Sequence, residues 1–282
     1  MTFVAARRFD QRIIIIADTK ITDPGGIHRP GSSTVRVHNC IPGRLKAFPL
    51  NTKISIGYAG LSSLALDSIR SLARKEAVEN DLDAILKALA NDSADGQVDF
   101  LVVSHLNGPE IFKIRNGNIS ADQESHWIGD SGIARLLQTS IDEQAVLLAD
   151  AQVPEEVIFT QAWANILLTA PSLTDAVGGL PVSVLCSPLG HCFNIQAGAY
   201  NPETVVIGGD NDGLYGQYSF SFVEDGMRGA PVLGVWLAEI GIGYLYDPLS
   251  SDEPKLCRLK TIDELSKLSA LRAEELGGVK IN

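Results

Sequence analysis

Residues 12–18 read Arg-Ile-Ile-Ile-Ile-Ala-Asp, and no other segment limits the possible folds of this chain as strongly. Consecutive β-branched side chains favour an extended backbone, because branching at Cβ restricts side-chain rotation in a helix and packs well on a pleated surface. A strand that is apolar at successive positions must be covered on both of its faces. The sequence therefore predicts a central strand at Arg12–Asp18, inside a core that buries both sides of it.

Predicted strands and helices occur in groups along the chain. Strand patterns lie before residue 60, again at residues 98–114, and again at residues 181–196. Apolar side chains at helical spacing run from Leu61 to about Asn91 and from Ile133 to Leu168. Groups of strands that alternate with groups of helices, rather than single strand–helix units, are typical of antiparallel sheets layered with helices. The sequence thus predicts an α+β fold.

The composition changes beyond residue 197, where glycine-rich strand segments begin. A helix is predicted at residues 261–276, because Thr261 and Glu264 have the spacing of a capping box. We therefore predict two parts, a domain at residues 1–197 and a C-terminal extension at residues 198–282 with added strands and a terminal helix.

The net charge argues against whole classes of partner. The chain carries a formal charge of -11 and has a pI of about 4.9, so binding to nucleic acid or to an anionic membrane surface is not expected. Its apolar runs are strand-sized, far below the roughly 20 residues of a membrane span. The apolar stretch after Met1 precedes the basic pair Arg7 and Arg8 and is too short for a signal peptide. We expect a cytoplasmic protein.

The cysteines and histidines do not show the spacing of a metal site. The four cysteines, Cys40, Cys186, Cys192 and Cys257, are scattered, and no CxxC pair has a matching partner. Asp210-Asn211-Asp212-Gly213 is similar to a calcium loop, but Gly208 stands where the first ligand belongs, which favours a turn. We expect reduced thiols and no metal or organic cofactor.

Three spacings near the N-terminus occur together. Thr2 follows Met1, Asp18 lies in Ile16-Ala17-Asp18-Thr19-Lys20, and Lys46 precedes Ala59-Gly60 at the end of a predicted strand. In these spacings the stretch from Thr2 to Gly60 resembles proteasome β subunits and their bacterial relatives, within the superfamily of N-terminal-nucleophile hydrolases.

Later segments extend the likeness to about Ala197. They are similar to the family's central hairpin, to its Gly-Ser-Gly turn before a helix, and to its Asp-x-x-Ser-Gly-Gly motif. The segments are, in that order, Asp99–Val103 with Gly108–Ile114, Trp127–Gly132, and Asp175–Gly179. This sequence departs from the family in having Gly178 where the last motif has Ser, and in a longer loop between Thr19 and Arg44.

The resemblance implies a four-layer αββα sandwich of two antiparallel sheets flanked by helices, and a threonine peptidase. Its catalytic residues would be Thr2, Asp18, Lys46, Gly60, Ser131 and Asp175, and its substrate-binding residues Lys20 and Tyr58. The substrate would be a peptide or an unfolded protein. The subunits would form a homo-oligomeric ring or a related assembly, with an ATPase as a possible partner. The apolar stripes after Gly60 could serve subunit contacts.

The chemistry explains why these residue types are needed. A threonine hydroxyl is a poor nucleophile, and in this class the residue's own α-amine removes its proton. That amine titrates near about 7.7–8.0 and must be free, so Met1 has to be removed. Lys46 would lower the pKa of the Thr2 hydroxyl and Asp18 would pair with Lys46, while the N–H of Gly60 would stabilise the oxyanion.

Two alternatives remain at this point. A non-catalytic subunit that keeps Met1 and serves assembly or binding is favoured somewhat by Gly178. Gly129-Asp130-Ser131-Gly132 also matches the nucleophile turn of chymotrypsin-like proteases, which makes Ser131 a rival nucleophile. The rival lacks a suitable histidine context, because Val37-His38-Asn39-Cys40 is not the usual one.

Overall fold

The computed structural model describes most of the chain. The described residues are 2–19, 43–74, 81–122, 124–169, 177–195, 197–200, 205–206, 213–214, 218–223 and 225–280. Within these ranges the protein is a mixed α+β structure with five α-helices and several β-sheets, and every strand pairing that they contain is antiparallel. The α+β prediction is confirmed at this level.

The strands and helices are numbered in chain order. The strands before residue 195 are β1 (Phe3–Phe9), β2 (Arg12–Ala17), β3 (Ala47–Pro49), β4 (Ile54–Gly60), β5 (Val98–Ser104), β6 (Glu110–Arg115), β7 (Asn118–Asp122), β8 (Ser125–Gly129), β9 (Val182–Cys186) and β10 (Cys192–Phe193). The later strands are β11 (Ala197–Tyr200), β12 (Val205–Val206), β13 (Gly213–Leu214), β14 (Tyr218–Phe222), β15 (Met227–Arg228), β16 (Leu233–Leu237), β17 (Ile242–Tyr246), β18 (Lys255–Arg258) and β19 (Val279–Lys280). The helices are α1 (Ser62–Ala73), α2 (Leu82–Asp92), α3 (Ser131–Leu147), α4 (Glu155–Thr169) and α5 (Ile262–Glu275).

The first sheet has the strand order β10-β9-β2-β1-β8, with β2 at its centre. Ile14 and Ile16 of β2 join a cluster with residues of α3 and α4, whereas Ile13 and Ile15 join a cluster with residues of a second sheet. All four isoleucines are almost fully buried. The prediction of a strand covered on both faces is therefore confirmed.

The second sheet has the order β3-β4-β5-β6-β7 and faces the first. Ile54, Ile56 and Tyr58 of β4 pack in a cluster with α1 and α2, because side chains alternate between the two faces of a strand. The opposite face of β4 approaches β1 so closely that a Cβ on Gly57 would lie 2.6 Å from Val4 Cγ1. A shared apolar cluster therefore lies between the two sheets.

A third sheet, β11-β14-β16-β17-β18, is formed by the C-terminal part of the chain. Phe220, Val235 and Tyr244 of this sheet belong to the same cluster as Ile69 and Leu72 of α1. Helix α5 packs on the sheet through a separate cluster that includes residues of β16 and β17. Side chains from both sides of residue 197 thus share one core. The predicted division into two parts at that residue stays a prediction.

Most predicted elements are found, with shifted ends. The helical pattern from Leu61 to Asn91 is divided between α1 and α2, and Thr261 accepts a hydrogen bond from the backbone N of Glu264 at 3.3 Å, which is the predicted cap of α5. Strand β8 was not predicted from the sequence. Residues 34–38, which belong to the strand patterns expected before residue 60, lie outside the described residues, as do Cys40 and residues 210–212 of the possible calcium loop.

No helix in the described ranges is both long enough and apolar enough to span a bilayer.

Candidate functional site

Asp18 and Lys46 form an ion pair inside the protein. The distance from Lys46 Nζ to Asp18 Oδ2 is 2.8 Å, and the two side chains are 1% and 0% exposed. Asp18 follows the last residue of β2, and Lys46 precedes the first residue of β3, so each is positioned by the end of a strand. A buried ion is tolerated only with a well-placed partner. The structure thus brings together two residues whose pairing the family resemblance implied.

The Asp18 carboxylate also contacts the start of the chain. The backbone N of Phe3 donates to Asp18 Oδ1 at 3.2 Å, and the backbone N of Gly178 donates to Oδ2 at 3.4 Å. The register of β1 with β2, in which Val4 lies opposite Ala17, places Asp18 beside the first residues of the chain. With Lys46, the carboxylate has three donors that compensate for its lost hydration.

Thr2 is fixed by its backbone at the end of β1. Its carbonyl accepts a hydrogen bond from the backbone N of Asp130 at 3.0 Å, and the residue is 5% exposed. Gly129 lies opposite Phe3 with φ +93, and a Cβ at this position would lie 1.8 Å from the Thr2 carbonyl oxygen. Only glycine permits this approach without strain. Side-chain alternation along β1 assigns Thr2 to the face of Val4, which packs in one cluster with Ala47 of β3.

Ser131 is the first residue of α3 and is exposed. The cap of this helix is Asp130, whose Oδ1 accepts from the backbone N of Gly132 at 2.7 Å and of Ile133 at 3.0 Å. The resemblance implied Ser131 as a residue of the site, whereas in the structure Asp130 forms the cap and its backbone N donates to the Thr2 carbonyl. In the described part of the chain, no hydrogen bond joins Ser131 to a histidine.

Thr19 is a residue of this region that sequence reasoning missed. Its hydroxyl accepts from the backbone N of Leu180 at 2.9 Å, and its own N donates to the Gly178 carbonyl at 3.2 Å. These bonds fix the segment from Gly178 to Leu180 against the end of β2. The signal in the sequence was weak, because a threonine after a strand is common in turns that serve no site.

Gly60 ends β4 with φ +110, and a Cβ there would lie 2.1 Å from the Gln97 carbonyl oxygen. This close approach is a structural reason for glycine, whether or not its N–H serves an oxyanion. Its catalytic role therefore stays a prediction.

Tyr58 does not line a cleft in this structure, contrary to what the resemblance implied. The side chain is fully buried on the helix-facing side of β4, among residues of α1 and α2, and burial raises its pKa well above the ordinary value. The strand alternation directs Gly57 and Ala59, rather than Tyr58, toward the sheet that carries Thr2. The remaining predicted residues, Lys20 and Asp175, lie outside the described residues.

A cavity lies on the other face of β1. It has a volume of about 660 Å³ and is lined by side chains of β1, β8 and α3 with Phe159 of α4, among them Phe3, Trp127 and Gln138. Neither Thr2, Asp18 nor Lys46 lines it. The candidate site is therefore defined by the contacts of Asp18 with Lys46 and Phe3, and it is separate from this cavity. No group of three or more potential metal ligands occurs within the described ranges.

A second buried polar network contains Ser55 and two histidines. Ser55 Oγ lies 2.8 Å from His191 Nδ1, His191 Nε2 lies 2.9 Å from His105 Nδ1, and His105 Nε2 lies 3.0 Å from the Gln11 carbonyl. Because a carbonyl only accepts, His105 donates from Nε2 to Gln11. A neutral His105 then accepts at Nδ1 from Nε2 of His191, and His191 accepts at Nδ1 from the Ser55 hydroxyl. Ser55 and His191 are fully buried, so this serine–histidine pair cannot meet a substrate and links structural elements instead.

Comparison with protein-family models finds no match to this chain, and comparison with curated proteins finds no significant match either, so the candidate site stands on its own geometry.

Proposed function

We propose that this protein is a threonine-type amide hydrolase of the proteasome class, with Thr2 as its nucleophile. One observation carries the proposal: a single buried carboxylate, that of Asp18, contacts both the Lys46 ammonium at 2.8 Å and the backbone N of Phe3 at 3.2 Å. A buried lysine–aspartate pair is no aid to stability in itself, since apolar residues of the same volume often serve better. Its position next to the second residue of the chain therefore favours a catalytic use.

The mechanism assigns one task to each group. After removal of Met1, the free α-amine of Thr2 takes the proton of its hydroxyl, and the Oγ attacks the carbonyl carbon of an amide substrate. The Lys46 cation stabilises negative charge on Oγ, and Asp18 holds Lys46 in place. The N–H of Gly60 is the proposed donor to the oxyanion. The α-ammonium returns this proton to the leaving nitrogen, which departs as the amine and leaves an ester between the acyl group and Thr2 Oγ. Water then hydrolyses the ester, which releases the carboxylic acid and restores the Thr2 hydroxyl.

We extend the proposal to the fold, as a four-layer αββα sandwich. Its support is the distribution of the apolar clusters: one contains β1 and β2 with α3 and α4, one lies between the first and second sheets, and one contains β4 and β5 with α1 and α2. The substrate class, a peptide or unfolded protein, follows from the family resemblance. So do the proposals of a homo-oligomeric ring, an ATPase partner and a cytoplasmic location.

The second candidate is a non-catalytic subunit that keeps Met1. Two observations favour it. Gly178 has no hydroxyl to hold a terminal amine, and its N–H is directed at Asp18. Thr2 is only 5% exposed.

Two measurements on the purified full-length protein separate the candidates. Intact-mass spectrometry is expected to show loss of Met1, and a β-lactone or epoxyketone probe is expected to add one equivalent to Thr2. Thr2→Ala should abolish labelling and turnover while the oligomer size is unchanged, whereas Thr139→Ala, which removes an exposed hydroxyl of α3, should keep both. Retention of Met1 in labelled, active protein would exclude Thr2 as the nucleophile. Labelling that survives Thr2→Ala and is lost in Ser131→Ala would identify the rival serine.

A further inference from the structure

The segment that leads into β3 is held against the end of β2 by two separate contacts. The backbone N of Arg44 donates to the Thr19 carbonyl at 2.8 Å, and two residues later Lys46 reaches Asp18. A Cβ on Gly43 would lie 1.8 Å from the Thr19 carbonyl oxygen, so the two backbones are in close contact. A contact that fixes the position of the Arg44 side chain therefore also fixes the backbone next to Lys46.

Such a contact is made by Asp252, in the C-terminal part of the chain. Asp252, in the loop between β17 and β18, lies 3.6 Å from Arg44 Nη2 through Oδ2 and 2.8 Å from Arg70 Nη2 through Oδ1. Arg70 belongs to α1, and its Nε also donates to the Pro248 carbonyl of the same loop at 2.9 Å. One carboxylate thus joins the lead-in to β3 with a helix of the second sheet.

The surroundings of this junction are largely closed to water. The side chains of Arg44, Arg70 and Asp252 are 21%, 15% and 28% exposed. Leu45 and Leu66 line a crevice together with Tyr246 and Pro254, so the loop also packs on the residue between Arg44 and Lys46. Partly buried charges interact more strongly than exposed ones, because less water screens them.

We propose that Asp252 is a positioning residue, which fixes Arg44 and thereby holds Lys46 at Asp18. This inference rests on the proposed function, in which Lys46 acts on the Thr2 hydroxyl. It gives the C-terminal extension a role in the site: the loop at residues 247–254 contributes to catalysis without touching the substrate. Arg70 is the rigid anchor, since it is carried by a helix.

The test uses Asp252→Asn, which keeps the shape and removes the charge, and Asp67→Asn as the matched control. Asp67 also pairs with Arg70, at 3.5 Å, but is exposed and distant in the chain from the lead-in to β3. Labelling of Thr2 by the β-lactone is measured as a function of probe concentration. We expect Asp252→Asn to lower the maximal labelling rate about tenfold with little change in the half-saturating concentration, and Asp67→Asn to leave both unchanged. Asp252→Glu should restore most of the rate.

Hydrogen exchange, which needs no activity, gives the second readout. Exchange at the Arg44 amide, which bonds to Thr19, should be at least about tenfold faster in Asp252→Asn than in Asp67→Asn, because the lead-in opens locally. If the wild type is labelled and Asp252→Asn is labelled at the same maximal rate, the positioning role is overturned and the proposed function stands. If the wild type is not labelled, the proposed function fails, and unchanged exchange at Arg44 then overturns the positioning role as well, while faster exchange supports it.

Discussion

At the scale of single residues, the Asp18 carboxylate links the candidate site to the start of the chain. It accepts from Lys46, Phe3 and Gly178, which belong to three separate segments of the chain. Complete burial removes water as a substitute partner. The charge of Lys46 is consequently compensated within the protein.

We expect Asp18→Asn to lower the free energy of unfolding by about 3–5 kcal/mol, because the change leaves the Lys46 cation buried without its counter-charge. Urea denaturation at neutral pH measures the effect. The control is Glu156→Gln, which removes the partner of Arg12 in a pair with a distance of 2.8 Å and one half-exposed side chain. That change should cost no more than about 1 kcal/mol. Equal losses in the two variants would contradict the special position of Asp18.

Sequence spacing was a good guide to some residues of the site and a poor one to others. Asp18 and Lys46 were singled out because their distances from Thr2 and from Ala59-Gly60 resemble those of the proteasome family. Tyr58 was misassigned as a pocket residue, because spacing alone does not say which face of β4 is covered by helices. Thr19 was missed since its role depends on Gly178 and Leu180, about 160 positions away, and local sequence carries no information about that contact.

At the scale of elements, the turn from β8 into α3 holds the start of the chain. Strand β8 was not predicted because its side chains are mainly exposed or half-buried and show little apolar alternation. Its pairing with β1 nevertheless brings Asp130 to the Thr2 carbonyl. Hydrogen bonds to β1 thus keep β8 extended, and its own sequence has no alternation of apolar residues that would predict a strand.

Removal of the α3 cap should disturb both this helix and Thr2. Asp130→Ala is expected to lower the free energy of unfolding by about 1 kcal/mol, as is the control Asp81→Ala, which removes the corresponding cap of α2. Only Asp130→Ala should also slow β-lactone labelling of Thr2, since only that cap is adjacent to the first residues. Thermal unfolding and labelling rates measure the two effects. An equal labelling rate in both variants would argue against the role of this turn.

The histidine network should make stability depend on pH. Burial lowers the pKa of both His191 and His105, and the nearby Lys53 lowers them further. In the unfolded chain both histidines bind a proton below about pH 6.5, whereas in the folded chain each binds it only at a lower pH, so the free energy of unfolding falls as the pH falls below that value. The expected slope is up to about 1.4 kcal/mol per pH unit for each histidine.

Urea denaturation between pH 7 and pH 5 tests this expectation. His191→Gln lowers stability at every pH, because its partners lose hydrogen bonds, so the slopes and not the absolute values are compared. The slope of the free energy of unfolding against pH should be smaller in the variant, by up to about 1.4 kcal/mol per pH unit, the contribution of one histidine. Parallel pH dependences in the variant and the wild type would show that His191 already titrates normally in the folded protein.

At the scale of the whole molecule, the third sheet completes the core that begins with α1. Phe220, Val235 and Tyr244 are buried against side chains of the N-terminal part. The sequence predicted the terminal helix and the three strands β14, β16 and β17 of this region, but neither β11 and β18 nor the surface on which they pack. Packing between distant segments is decided by complementary shape, which periodicity does not encode.

A chain that ends at residue 197 should therefore fail to fold cooperatively. Loss of the third sheet exposes the apolar surface of α1, and we expect weak near-ultraviolet circular dichroism, binding of the dye ANS and no sharp thermal transition. A chain that ends at Gly278 is the control, because it loses only β19, whose partner is the short strand β15. Cooperative unfolding of the 1–197 chain at the temperature of the full-length protein would establish that part as an independent domain.

The cover that the third sheet provides also limits how copies of this chain can associate. Part of the apolar stripe that was expected to serve subunit contacts is buried inside the chain, namely Leu66, Ile69 and Leu72. Val146 and Leu147, at the end of α3, are 78% and 80% exposed. The buried side chains of α1 are thus closed to docking between copies, whereas the end of α3 presents two exposed apolar side chains.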